Sequence, residues 1–183
     1  SLDKGLQNVL KEKGKDLMSP SIFQDLLTES ELDSAIKKLK KRKSPGPDKV
    51  HNEMLINLGK KGKLTLLKLY NKSWTEGHLP TKWKLATITP ILKKGKKAND
   101  PKSYRPISLT SCVGKLCERI LNSRLYWWLE SSGLISQSQA GFKSKSRTDD
   151  QLFRLSQRII DGFQKGEHTT AVFVDLHQAY DRV

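Results

Sequence analysis

The sequence predicts an α+β fold with helices packed on a small sheet, and three observations carry that expectation. Several segments repeat apolar residues every three or four positions, the period of a half-buried helix. Two runs rich in strand formers, 83–92 and 104–109, flank a polar, turn-rich stretch, which is the pattern of a long β-hairpin. Near the end, Thr169-Thr170-Ala171-Val172-Phe173-Val174 is apolar enough for the centre of a sheet.

Each element has its own signal. Residues 1–27, with Gly5, Gly14 and Pro20, are weakly patterned and read as a linker or a loosely docked segment. Thr28 followed by Glu31 is a capping box. Behind it Leu32, Ala35, Ile36 and Leu39 recur at helical spacing, and the basic run 37–43 suits a helix C-terminus. Ser44-Pro45-Gly46-Pro47-Asp48 breaks the chain. A short helix is expected over 52–58 and a longer one over 62–76, with Leu67, Tyr70 and Trp74 on one face and Gly77 as its stop. The hairpin occupies about 84–109, its prolines marking edge or bulge positions. Val113, Leu116, Cys117, Ile120, Leu121, Leu125 and Trp128 then form one helical stripe, stopped near Gly133. Thr148 and Gln151 make a second capping box, ahead of a buried stripe of Leu152, Leu155, Ile159 and Phe163. Three regions are expected: 1–27, 28–168 containing the hairpin, and 169–183 opening on the final strand.

Charge narrows the function. Lys and Arg number 34 against 19 Asp and Glu, a net charge of +15. Such an excess points to a polyanionic partner, either nucleic acid or an anionic membrane surface, with a solvated basic face as the alternative. No apolar run approaches the roughly 18 residues of a membrane span, so an integral membrane protein is not expected, and of the two polyanions nucleic acid is the expected partner, with no membrane. Cys112 and Cys117 fit neither zinc spacing nor a disulfide framework, which favours an intracellular setting, nucleus or cytoplasm left open. The chain ends within a patterned segment at Val183, as expected of a piece of a longer protein.

Among residues able to carry chemistry, Asp175 stands at the C-terminal end of the expected strand. A carboxylate there can hold a divalent cation beside a phosphate, or simply cap the next helix. Asp181 is six residues on and could be a second ligand. Asp149 and Asp150 sit in a first helical turn, where acids favour the helix dipole. Lys93, Lys94, Lys96, Lys97, Lys102 and Arg105 crowd the hairpin, offering phosphate contacts or, alternatively, a solvated edge blocker. Ser144, Lys145, Ser146 and Arg147 form another donor-rich loop. The four histidines have neither zinc nor nucleophile-base spacing, and residues 59–64 lack the G-K-[ST] of a phosphate-binding loop.

Val172-Phe173-Val174-Asp175-Leu176-His177-Gln178-Ala179-Tyr180-Asp181-Arg182-Val183 resembles the first catalytic motif of reverse transcriptases. Upstream, Ser44-Pro45-Gly46-Pro47-Asp48, Pro90-Ile91-Leu92-Lys93-Lys94-Gly95, Tyr104-Arg105-Pro106-Ile107-Ser108-Leu109 and Gln139-Ala140-Gly141-Phe142-Lys143 come in that family's order. The five segments, over roughly residues 28 to 183, are similar to the non-LTR (LINE-like, jockey-type) retrotransposon branch.

The resemblance implies a right-hand polymerase, with 28–168 as fingers and 169–183 as the beginning of the palm. It implies an RNA template, a DNA primer, dNTP substrates and a two-metal Mg²⁺ site. Asp175 would be the first of three metal-binding aspartates, and the carbonyl of Leu176 would complete a ligand set. Tyr180 would pack under the sugar and exclude a 2′-hydroxyl by clash. Arg105 and Lys94 would hold the triphosphate, with Lys93 as the register alternative to Lys94. Lys96, Lys97 and Arg147 would meet nucleic acid, and Gly141, Phe142 and Lys143 would lie near the template. The family's Tyr/Phe-x-Asp-Asp segment is absent from the 183 residues, as are the rest of the palm and the thumb, so the chain alone is expected to be inactive. The competing expectation is a non-catalytic nucleic-acid-binding remnant of a retroelement.

Overall fold

A computed structural model describes residues 21–144 and 146–176. They fall into two compact units that meet between Ser132 and Gly133 in the sequence.

The first unit is a helical cluster from which a two-stranded sheet extends. Helix α1 (Glu29–Lys37) starts at Thr28, whose hydroxyl accepts from the Glu31 amide at 3.3 Å while the Glu31 carboxylate accepts from the Thr28 amide at 2.8 Å. The capping box is therefore formed. Short helix α2 (Asn52–Ile56) precedes α3 (Lys60–Glu76), which Gly77 terminates in the left-handed conformation. Helix α4 (Thr81–Lys84) holds Trp83, where the sequence pattern suggested the strand had begun. Strands β1 (Ala86–Leu92) and β2 (Tyr104–Thr110) pair antiparallel, from Ala86 opposite Thr110 to Leu92 opposite Tyr104. Helix α5 (Cys112–Ser131) is capped by the Ser111 hydroxyl, which accepts from the Gly114 amide at 3.2 Å.

The core lies between helices. Leu32 and Ile36 of α1, Leu55, Tyr70, and Leu116 and Ile120 of α5 are buried together. Tyr70 is fully enclosed, and its hydroxyl donates to the Val113 carbonyl at 2.7 Å, which satisfies its one polar atom. Burial holds the Tyr70 phenol well above its ordinary range and pushes the Cys117 thiol up to about 11. Cys112 and Cys117 are both free and buried.

Several expectations are corrected. The helices do not cover the sheet: every β1 residue is exposed, and in β2 only Tyr104, Leu109 and Thr110 are partly buried. The strand period divides the apolar side chains, with Ile88 and Leu92 on one face and Ile91 and Ile107 on the other. Neither face carries a stripe wide enough to seat a helix. In α5 Leu125 of the expected stripe remains 44% exposed, while Trp128 beyond it is half-buried and meets the Phe23 ring edge-on.

The largest correction concerns the second unit. Helix α6 (Thr148–Gln164) is present, but Leu152 and Phe163 of its expected buried stripe are exposed and Leu155 and Ile159 only half-buried. Its N-cap is Arg147, whose amide donates to Asp150 Oδ2 at 2.7 Å, so the reach-back acid is Asp150 and not Gln151. Residues 169–176 form no strand, and Val172, Phe173 and Val174 are more than four-fifths exposed. A strand needs a neighbouring backbone edge to bond with. Among the described residues of this unit the regular element is a helix, whose backbone bonds are spent internally.

Candidate nucleic-acid interface

The base of the hairpin is built into the helical cluster. Gly46 lies against the end of β2, where a Cβ would come within 2.5 Å of the Thr110 carbonyl carbon and 2.6 Å of the Ser111 nitrogen. Only glycine fits that approach. Asp48 then accepts from the Ser111 hydroxyl and, at 3.2 Å, from the Val50 amide. The Ser-Pro-Gly-Pro-Asp segment thus fixes the point at which β2 becomes α5. On the other side, Trp83 just ahead of β1 packs on Gly114 and meets the Tyr70 ring edge-on, centroids 5.7 Å apart.

The tip is ordered by local bonds. The Lys93 amide donates to the Ser103 carbonyl at 2.8 Å, and Gly95 supplies the left-handed residue of the turn. The Asp100 carboxylate accepts from the Lys102 amide at 2.9 Å, starting a 3₁₀ turn at Pro101–Ser103. The Tyr104 hydroxyl donates to the Ala98 carbonyl at 2.9 Å.

The cations of this tip fall into two groups. Lys93 is half-buried and donates its ammonium to the Lys102 carbonyl at 2.8 Å. Lys94, Lys96, Lys97 and Arg105 are exposed and make no side-chain hydrogen bond or ion pair among the described residues. Arg105 stands opposite Ile91, and by the strand period it shares a face with Lys93, while Lys94 sits in the turn. The one acid between Lys93 and Arg105, Asp100, already serves the Lys102 amide. With six cations against that one carboxylate, the loop carries a net positive field into solvent.

In the second unit Gly141 and Phe142 of the expected template-side loop are exposed and Lys143 is half-buried. Phe142 is 97% exposed in a left-handed conformation, φ 58°. Gln139 donates to the Gly141 carbonyl at 3.1 Å, and Lys143 donates to the Ser136 carbonyl at 3.4 Å. Arg147 presents its side chain from the start of α6. Asp175 and Leu176 lie exposed in the irregular segment after α6, while Tyr180 and Asp181 fall outside the described residues. Among the described residues no group of three or more His, Cys, Asp or Glu side chains could hold a cation. Asp175 alone does not fit a two-metal Mg²⁺ centre, and no metal-dependent step follows from these residues.

One residue the sequence pattern did not single out organises the first unit. Arg124 is 5% exposed and donates from Nε to Glu31 Oε1 at 2.6 Å and from Nη2 to Glu31 Oε2 at 2.8 Å. It also donates to the carbonyls of Ile22, Asp25 and Leu26 at 2.7–2.9 Å. The Arg124 bonds to its carboxylate, helped by the Thr28 amide and hydroxyl, lower the Glu31 carboxyl from 4.5 to about 2. The signal was available: Arg124 follows Ile120 by four residues and so shares the apolar face of α5.

Comparison with known proteins places this arrangement. A family model described as reverse transcriptase (RNA-dependent DNA polymerase) matches residues 91–183, which include the hairpin tip, β2, α5, α6 and Asp175. The chain is 40% identical over 153 residues to a protein named probable RNA-directed DNA polymerase from transposon BS of Drosophila melanogaster, covering 84% of this chain and 17% of that protein. It is 34% identical over 159 residues to the RNA-directed DNA polymerase from mobile element jockey of Drosophila funebris, 87% of this chain and 17% of the relative. Against the probable RNA-directed DNA polymerase from transposon X-element of Drosophila melanogaster it is 30% identical over 176 residues, 94% of this chain and 19% of the relative. The chain thus spans less than a fifth of the length of these curated relatives. With the family match extending over half of its residues, from the exposed lysines of the hairpin to the segment bearing Asp175, the chain belongs to the reverse transcriptase (RNA-dependent DNA polymerase) family.

Proposed function

We propose that the chain is part of an RNA-directed DNA polymerase of the non-LTR retrotransposon type. In this reading the first unit supplies fingers, α6 and its flanking loop continue them, and the segment around Asp175 begins the palm. The observation that carries it is the set of unpaired cations, Lys94, Lys96, Lys97 and Arg105, on an exposed hairpin anchored at its base by Gly46, Asp48 and Trp83. Lys94 and Arg105 bind the triphosphate of a dNTP, with Lys93 in support from the face that Arg105 shares. Lys96 and Lys97 meet the phosphates of an RNA template or DNA primer, as do Lys143 and Arg147 beside Gly141 and Phe142. Phosphate contacts of this kind position a strand without reading its bases.

Asp175 and the Leu176 carbonyl would supply only part of a Mg²⁺ site, and Tyr180 would lie under the incoming sugar. The template, the primer and the remaining palm and thumb are the implied partners.

Two measurements test the reading. RNA binding by the chain should weaken steeply with salt, and replacing Lys93, Lys94, Lys96 and Lys97 with alanine should make the slope of log affinity against log salt shallower by about 3. An unchanged slope removes the hairpin from the interface. In a full-length polymerase carrying this segment, Asp175→Asn should abolish primer extension and leave RNA binding intact. Extension that survives Asp175→Asn would leave a nucleic-acid-binding protein whose catalysis, if any, does not use this motif.

A further inference from the structure

Beside the hairpin, the first unit holds a cleft of about 480 Å³ between the end of α1, strand β2 and helix α5. Five cations line it: Lys38, Lys40 and Lys43 from the end of α1 and the segment after it, and Lys115 and Arg119 from α5. No carboxylate lines it. None of the five makes a side-chain hydrogen bond or an ion pair among the described residues. Lysines on a convex face diverge into water and need no partner. Here cations from two elements border one concavity, and a cleft lined by a single sign of charge focuses its field on whatever enters.

Resting on the reading that this chain handles nucleic acid, we propose that the cleft is a second phosphate-binding surface, separate from the hairpin tip, which holds the backbone of single-stranded RNA. A strand suits it better than a compact triphosphate. Lys115 and Arg119 stand one helical turn apart, about 5–6 Å between their Cβ atoms. With the α1 lysines they spread positive charge along the cleft and do not gather it at a point. Leu39, Ile107 and Leu109 intervene among the cations, giving apolar surface for sugars and base faces. Ser44 and Ser108 add hydroxyls that can donate to phosphate oxygens. The contacts are to the backbone, so the cleft binds without regard to base sequence.

Lys38 and Arg119 also border a neighbouring cleft beside Arg124, so the test uses Lys40, Lys43 and Lys115, which do not border it. Binding of a short oligo(U) by the 183-residue chain is measured across a salt series. The triple variant Lys40→Gln, Lys43→Gln, Lys115→Gln should show a slope of log affinity against log salt shallower by about 2. The hairpin variant, measured in parallel, reports on the other surface. A slope unchanged by the triple substitution overturns the cleft and leaves the hairpin reading standing. A slope flattened by the triple substitution but not by the hairpin variant supports the cleft and removes the hairpin.

A second measurement needs no variant. In the unsubstituted chain, bound oligo(U) should slow chemical acetylation of Lys40, Lys43 and Lys115, read by mass spectrometry. Full reactivity of all three in the complex overturns the proposal. Protection by dTTP equal to that by oligo(U) overturns the assignment to a strand.

Discussion

The two units answer the same kind of sequence pattern in opposite ways. In the first, α5 carries an apolar stripe and buries Leu116 and Ile120 against Leu32, Ile36 and Leu55. In the second, α6 carries an equally regular stripe, yet Leu152 and Phe163 face water and Gly162 is the one buried position among its described residues. Periodicity decides that a segment can be a helix. Burial is decided by whether something lies opposite.

Two arginines give the sharpest way to break that contrast. Arg124 is buried and bonds Glu31 and three carbonyls, so Arg124→Ala should cost about 3–5 kcal/mol in denaturant unfolding, because five charge-assisted hydrogen bonds and the packing of its stem are lost together. Arg154 of α6 is exposed and donates to the Gln137 carbonyl at 3.3 Å, and Arg154→Ala should stay within about 0.5 kcal/mol. Equal effects would show the units to be alike. Next in size, Leu116→Ala should cost about 3 kcal/mol through lost packing and a residual cavity.

Acid should then separate the units. The Glu31 carboxyl is depressed by Arg124, so the stability it contributes is fully present above about 4.5 and is lost as pH falls toward about 2. Stability measured through that window should fall in the unsubstituted chain and fall less in Glu31→Gln. A Glu31→Gln profile that matches the unsubstituted one would remove the pair from the acid response.

Phe153→Ser with Phe163→Ser sharpens the other side and should have the smallest effect on unfolding, about 0.5 kcal/mol or less. The chain should self-associate through its exposed apolar residues, and sedimentation should show the double variant to be less associated. A monomeric unsubstituted chain would contradict this.

Local signals were legible in the sequence. Thr28 and Glu31 form their capping box, Gly77 and Gly133 take left-handed conformations after α3 and α5, and the two strand-forming runs pair. Each of these is settled within a few residues. What the pattern did not show depends on distant partners. The run at 169–174 has strand composition, but composition does not supply an edge. Arg124 lies on an apolar face where its charge is hard to anticipate until Glu31, 93 residues earlier, is seen to be free for it. The cations of the α1–α5 cleft were visible as a basic run and as two scattered residues, and only the fold brings them together.

Arg124 also bears on the order of events during synthesis. Its partners at Ile22, Asp25, Leu26 and Glu31 are made 93 to 102 residues before it. At a ribosomal rate of roughly 5–20 residues per second, those groups wait about 5–20 s for their arginine. Until then the carbonyls stay with water and α1 has only its capping box to hold its first turn. Closing so long a loop is slow. The first unit therefore cannot lock as it emerges from its N-terminal side, and settles only once α5 has been made.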